Sequence, residues 1–275
     1  MPTITEPAKL KAATAYNAAS DHFDDEPLGF WKRYGERTVE RLALHPGARV
    51  LDVGCGTGAS ALPAADRVGP TGKVIGVDLA ERLLEIAQQK AASRNLGNAE
   101  FHFGDMERLG YPDGDFDAVI CVFAIFFVPD MAKQLRELWR MVCPGGRLAI
   151  TTWGPRVLEP AASMFWSAVK ELRPELYLGF NPWDRITEPE PLRALLAEAG
   201  ISNADILAED GSQDLRSPED WWTIVIGSGF RSIVDQMGPD LASRLREANL
   251  AAIRSQGVTS VETNVIYAVA RKTSI

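Results

Sequence analysis

The chain is poor in the residues that hold metals, nucleic acids or membranes. Three histidines and three cysteines are spread over 275 residues. Cys55, Cys121 and Cys143 lack the paired spacing of a zinc site or redox dithiol, so they read as reduced thiols of a cytoplasmic protein, with no metal site. Basic residues number 29 against 37 acidic ones, and no run of Lys or Arg stands out. Binding to a phosphate backbone needs clustered cations, because counterion release supplies most of that affinity. A nucleic-acid partner is therefore not expected. The longest apolar run, A-V-I-C-V-F-A-I-F-F-V at 118–128, is shorter than the roughly 20 residues that cross a bilayer, so no membrane span is expected. The opening M-P-T-I-T-E-P-A-K-L-K has no apolar stretch of a secretion signal. The oligomeric state stays open.

What is present is a regular alternation of apolar strands and amphipathic helices. Residues 8–46 read as helical and end at Pro46-Gly47. A-R-V-L-D-V begins the first strand, and K-V-I-G-V-D (73–78), A-E-F-H-F-G-D (99–105) and F-D-A-V-I-C-V (116–122) follow with helices between. Asp130 caps the helix before C-P-G-G, and R-L-A-I-T-T-W is the fifth strand. Thr187 with Glu190 predicts a capping box for the helix that ends at Gly200. Strands at I-S-N-A-D-I-L-A and V-E-T-N-V-I-Y-A-V-A complete the pattern, with a helical stretch between them capped at Ser217-Pro218. Apolar strands separated by helices imply an α/β fold with a doubly wound, mostly parallel seven-stranded sheet. The organisation expected is an N-terminal helical segment (1–47), a core (48–209 and 259–275) and a helical cap inserted before the last strand (210–258).

Ligands of such sheets bind beyond the carboxyl ends of the strands. The first strand ends in Gly54, Gly56 and Gly58 within V-L-D-V-G-C-G-T-G, a turn bare enough for close approach. The second ends in Asp78, placed to accept ribose hydroxyls. The third ends in Gly104-Asp105, a carboxylate that could accept from an adenine amine, and the fourth ends near Cys121. Each has a plainer reading as turn, cap or core residue; their succession at neighbouring strand ends favours a ligand. Gly54-x-Gly56 with Ala59 also satisfies a dinucleotide fingerprint, so an NAD(P)-dependent oxidoreductase stays open. Against it stand Asp52, a negative charge awkward beside a pyrophosphate, and the long helical segment before the first strand.

V-L-D-V-G-C-G-T-G, G-V-D, G-D-M-E-R-L-G-Y-P-D-G-D-F-D and P-G-G-R-L resemble, in order and spacing, the motifs of Rossmann-like S-adenosylmethionine-dependent methyltransferases. The nearest look is the ubiquinone/menaquinone-biosynthesis-type, small-molecule branch, over residues 30–155. The resemblance implies that S-adenosylmethionine is the cofactor. It implies that Asp52, Gly54 and Gly56, with Thr57 and Gly58 in the same loop, hold its methionine part. Asp78 would bind the ribose, Leu79 the adenine face and Asp105 the adenine amine. Met106 would pack there, and the Cys121 carbonyl would lie near the methionine portion.

Transfer from a sulfonium needs alignment more than a strong base. Related enzymes often carry histidine just after the fourth strand; here A-I-F-F-V puts Phe126 and Phe127 there, an apolar wall. His22 and Tyr16, in the N-terminal segment, are the candidate catalytic groups. Phe126, Trp153, Trp183 and Trp222 are candidates for an apolar or aromatic small-molecule substrate. N-P-W-D at 181–184 looks like a signature of DNA-amine methylation but lies away from the fourth strand, where that signature belongs. A non-catalytic cofactor-binding protein is the remaining alternative.

Overall fold

The computed structural model describes residues 7–273; the first six residues of the N-terminal segment and the last two of the core lie outside them. In chain order the elements are α1 (Pro7–Ala19), α2 (Phe30–Leu42), β1 (Arg49–Val53), α3 (Ala61–Val68), β2 (Lys73–Asp78), α4 (Glu81–Ser93), β3 (Ala99–Phe103), β4 (Phe116–Val122), α5 (Met131–Met141), β5 (Val142–Trp153), α6 (Ala161–Leu172), α7 (Pro189–Glu198), β6 (Ala204–Glu209), β7 (Ser212–Asp214), α8 (Pro218–Ile226), α9 (Arg231–Met237), α10 (Pro239–Gln256), β8 (Ser260–Glu262) and β9 (Val265–Arg271). Seven strands form one sheet in the order β3-β2-β1-β4-β5-β9-β6; β9 runs antiparallel to both its neighbours and the other pairings are parallel. This is the doubly wound sheet that the sequence led one to expect.

The central strands are apolar because helices cover both their faces. In β1, Val50, Leu51, Asp52 and Val53 are all buried, so the one carboxylate in that run is held in the interior. The strand order reverses between β1 and β4, and the two loops leaving those strands diverge there, which opens a crevice. Asp130 caps α5 by accepting from the Lys133 amide. C-P-G-G lies within β5, which begins directly where α5 ends, rather than forming a separate turn. The capping box falls elsewhere than Thr187–Glu190: α7 starts after Glu188 with no side-chain cap, while Asn181 and Asp184 form a reciprocal box around a short 3-10 turn at Pro182–Ile186. That gives N-P-W-D a structural origin.

Helices α8, α9 and α10 pack on one another as a cap, α9 also packs on α1, and α6, from the β5–α7 connection, packs on α10. β7 and β8 form a separate antiparallel ribbon at the root of this cap. Trp221 is fully buried there and donates from Nε1 to Asn249 Oδ1 at 3.0 Å. Among the described residues, no helix is long and apolar enough to cross a membrane.

Helix α2 locks the N-terminal segment to the sheet. The Tyr34 hydroxyl, buried, donates to the Thr263 carbonyl at 2.6 Å, and the Thr38 and Thr151 hydroxyls pair at 2.7 Å. Gly35 lets α2 lie directly on the turn before α3, because a Cβ there would overlap the Ala59 carbonyl. Helical Gly→Ala ordinarily stabilises by up to about 1 kcal/mol. Gly35→Ala should instead destabilise by about 1–3 kcal/mol through overpacking, seen as a lower urea midpoint; an unchanged or higher midpoint would contradict this packing.

Candidate active site

Two adjoining cavities open at the switch in strand order. The smaller, about 130 Å³, lies over the ends of β1 and β2. Gly54 and Gly56 of the first loop form its floor, both with left-handed backbone (φ 73° and 51°). A Cβ on Gly54 would overlap the Ala124 side chain, so glycine is what allows the loops after β1 and β4 to touch. Gly58 serves packing instead, since its missing side chain makes room for Leu62, and it is not on the cavity wall. Thr57 is on the wall, its hydroxyl donating to Asp24 Oδ1 at 2.7 Å.

Asp78 also lines this cavity. Its Oδ2 accepts from the Gly56 amide at 2.8 Å and its Oδ1 from the Ala80 amide at 2.9 Å. It thus braces both the glycine turn and the turn that leads into α4, and each oxygen keeps a lone pair for a ligand. Leu79, Met106 and Gly104 complete that side. Asp105 is set back from the wall: its Oδ2 pairs with Lys9 Nζ at 2.8 Å and its Oδ1 accepts from the Glu107 amide at 3.0 Å. Cys121 is also one step too deep. It is fully buried, and the next three residues, Val122, Phe123 and Ala124, face the cavity.

The larger cavity, about 600 Å³, lies between the cap and the fourth-strand loop. Phe126, Trp153 and Trp183 are on its wall, joined by Trp166 and Phe230. Trp222 is not; it is half-buried in the cap, next to the core residue Trp221. Tyr16, Trp31, Phe123 and Phe127 border both cavities. Phe123 holds a left-handed backbone (φ 51°), rare for a bulky residue, and its ring stacks on Trp153 at 4.2 Å. The Tyr16 ring meets Phe127 and Phe23 edge to face. Phe123, Trp166 and Phe230 carry no motif in the sequence; Phe123 could have been suspected only as part of the apolar run after β4.

His22 faces neither cavity: it is partly exposed and its Nδ1 lies 2.9 Å from Asp25 Oδ2. The acids on the wall of the larger cavity are engaged in local turns, Glu159 with the Ser163 hydroxyl at 2.7 Å and Asp184 with the Asn181 amide at 2.7 Å. Burial, reinforced by the Asp78 carboxylate, pushes the Tyr16 phenol well up, so Tyr16 is a proton-bearing donor and not a base at neutral pH.

Asp52 lies just behind the smaller cavity. Its Oδ2 accepts from the Ser60 hydroxyl at 2.7 Å, and its Oδ1 is buried with no partner. Burial outweighs the Ser60 bond and lifts this carboxyl to about 7; Asp78 is raised as well, again by burial. A carboxyl raised on folding binds its proton more tightly in the native state. Its protonated form is stable below the unfolded value of about 3.9, and stability is lost as pH rises through about 7. The loss at neutral pH is on the order of 4 kcal/mol for Asp52. Asp52→Asn should therefore flatten the fall in urea stability between about pH 4 and 7. An unaltered slope would show that Asp52 ionises without penalty.

A family model described as a methyltransferase domain matches residues 44–200 of this chain. Aklanonic acid methyltransferase from Streptomyces sp. strain C5 is 35% identical over 144 residues, 52% of this chain and 66% of that protein. Demethylmenaquinone methyltransferase from Geobacillus kaustophilus is 39% identical over 135 residues, 48% of this chain and 58% of that protein. The matches thus span less than two thirds of either relative. The YcgJ protein of Bacillus subtilis shares the fold at a TM-score of 0.59 and 19% identity, over 88% of this chain and 100% of its own. S-adenosylmethionine-dependent methyltransferases are among the other solved proteins with this fold. The glycine turn, the Asp78 brace and the matched segment agree: the chain belongs to the methyltransferase-domain family, whose methyl donor is S-adenosylmethionine.

Proposed function

We propose that the protein moves a methyl group from S-adenosylmethionine to a small apolar or aromatic acceptor seated in the larger cavity, by in-line displacement. The observation that carries this reading is the shared wall. Molecules in the two cavities would meet between Tyr16, Trp31, Phe123 and Phe127, four side chains that leave little room for water. The two relatives above are each named for a small molecule, which supports the same class.

The residues present fit the cofactor. The unpartnered Asp52 Oδ1 suits a positive amino group, and the Gly54–Gly56 floor admits a ligand where side chains would collide. Asp78 retains acceptor capacity for ribose hydroxyls, with Leu79 and Met106 as apolar walls for a base. When bound, the sulfonium supplies a methyl group that is already activated. The protein's own part is then alignment and exclusion of water, which together lower a barrier by several kcal/mol. Tyr16, protonated at the junction, donates a hydrogen bond to whatever oxygen lies beside it. No histidine lines the larger cavity and its acids serve local turns, so the acceptor must bring its own nucleophilic electron pair. The described segment of the N-terminus, from α1 through α2, and the cap helices would enclose the pair. The three cysteines are free, which suits the expected cytoplasmic setting.

Calorimetric titration with S-adenosylmethionine, S-adenosylhomocysteine and NAD in parallel tests the reading. Both adenosyl ligands should bind and NAD should not; NAD binding alone would overturn it. Adenosyl binding with no methylated product across a broad acceptor screen would favour a non-catalytic protein. Hydrogen bonds to a charged group contribute about 1.5–3 kcal/mol. Asp78→Ala should therefore weaken S-adenosylmethionine about ten- to a hundredfold. Asp78→Asn, which keeps one acceptor oxygen for the Gly56 or Ala80 amide, should fall between; unchanged affinity in both would remove Asp78 from the ribose site.

A further inference from the structure

Lys9, Ala12, Ala13 and Tyr16 share one face of α1, because a helix turns residues three and four apart to the same side. Ala12, Ala13 and Tyr16 line the smaller cavity, with Phe23 from the turn that follows. Its other walls are loops leaving the strands, and Trp31 on α2, which a buried hydroxyl pair ties to β5. The volume of this cavity, about 130 Å³, is below the roughly 300–1,000 Å³ of sites that take a ligand of drug size. A nucleoside cofactor therefore enters only if a wall yields. Helix α1, which packs chiefly on the helices α4 and α9, is the wall placed to lift.

Charge fastens α1 on the cofactor side. Lys9, only 8% exposed, sets its Nζ 2.8 Å from Asp105 Oδ2 and 2.5 Å from Glu107 Oε2. Both acids belong to the loop after β3, whose Gly104 and Met106 are on the cavity wall. The Glu107 amide donates to Asp105 Oδ1 at 3.0 Å, which keeps the two carboxylates together before one ammonium. Past the end of α1, Arg82 with Asp21 and Lys90 with Asp24 join the same segment to α4, each at 2.9 Å, but these pairs are open to solvent and contribute little. The Lys9 pair is sheltered and so is screened less. Asp105, set back from the wall and turned to the lysine, is placed to hold α1 rather than to read an adenine amine.

Resting on the smaller cavity as the cofactor site, we propose that Lys9 and Asp105 are positioning residues whose ion pair latches α1 over the adenosyl cofactor. The latch gates entry and exit of the cofactor, and it holds Tyr16, two turns along the same face, at the cavity junction. Every atom of it belongs to the protein, so it forms with or without cofactor. Breaking it therefore speeds entry and exit together, whereas loss of a ligand contact speeds exit alone.

The test follows S-adenosylhomocysteine binding by stopped-flow tryptophan fluorescence. Lys9→Met, which keeps an unbranched side chain without the charge, should raise the association and dissociation rate constants each about tenfold and move Kd by less than about twofold. Asp105→Asn should act in the same direction but less, since Glu107 still holds Lys9, and should add nothing in the Lys9→Met background. Lys9→Arg should restore most of the wild-type rates. S-inosylhomocysteine, with an oxygen in place of the adenine amine, should be weakened by the same factor in wild type and in Asp105→Asn. Rates unmoved by Lys9→Met would overturn the inference, as would a rise in dissociation alone. So would an Asp105→Asn effect that is equal in both backgrounds or that alters the adenosyl-to-inosyl ratio, since Asp105 would then touch the base. Should circular dichroism show Lys9→Met unfolded, Asp105→Asn carries the same expectation for both rates. No binding of S-adenosylhomocysteine to wild type would instead overturn the cofactor reading, and the inference with it.

Discussion

The site depends on a contact from which a side chain is missing. Gly54 and Ala124 leave adjacent strands at the point where the sheet changes direction, and a single added carbon on Gly54 would drive them apart. Loops diverging from such a point ordinarily leave an open crevice. Here they touch at their base and separate above it, so the crevice becomes two compartments with a common wall. Asp78 holds one lip by bonding the Gly56 amide, and the left-handed Phe123 holds the other by turning its ring onto Trp153. A bulky residue in that backbone region is strained, by roughly 1–3 kcal/mol, and persists only where the surroundings fix it. Burial of its ring among Trp31, Tyr34 and Trp153 supplies that fixation.

The aromatic wall would have no position without α2. Tyr34 and Thr38 tie that helix to the link between β8 and β9 and to β5 by buried hydroxyl bonds, and Gly35 brings it against the turn before α3. Trp31 is then carried on the first turn of a rigid helix rather than on a loop. It stacks on Phe23 on one side and meets Phe123 and Trp153 on the other. The N-terminal segment is in turn anchored to the nucleotide side of the sheet by Arg82, which bonds Asn17 through its amide and Asp21 through its guanidinium. Stability and site geometry share these contacts, so a substitution that loosens α2 reaches both cavities.

Much of the sheet was legible because strands covered on both faces must be apolar throughout, and glycines and acids at their ends then stand out. Asp78 could be put at the end of β2 by spacing alone, although not its double service as brace of the glycine turn and of the turn before α4. Legibility failed where position depends on which way a helix turns. Trp221 and Trp222 are neighbours in sequence, but successive residues on a helix point about 100° apart, and only packing against Asn249 decides which is core. Tyr16 lies on α1 and His22 in the turn three residues past its end, and tertiary packing put the tyrosine at the junction and the histidine outside. Asp105 and Cys121 each stand one residue before a residue that lines the smaller cavity, Met106 and Val122.

The buried carboxylates show how such a site sets binding against stability. Asp52 sits in a central strand where an aliphatic residue would pack better, with one oxygen left bare. An unpaired carboxylate in the interior costs free energy in the empty protein, which is why its proton is held to about pH 7. A ligand that brought a positive group to Asp52 would remove that penalty by pairing the charge, and that release would then add to its binding energy. A ligand without a positive group would leave the Asp52 oxygen unpaired, and discrimination on that side would arise from the cost of that unpaired atom.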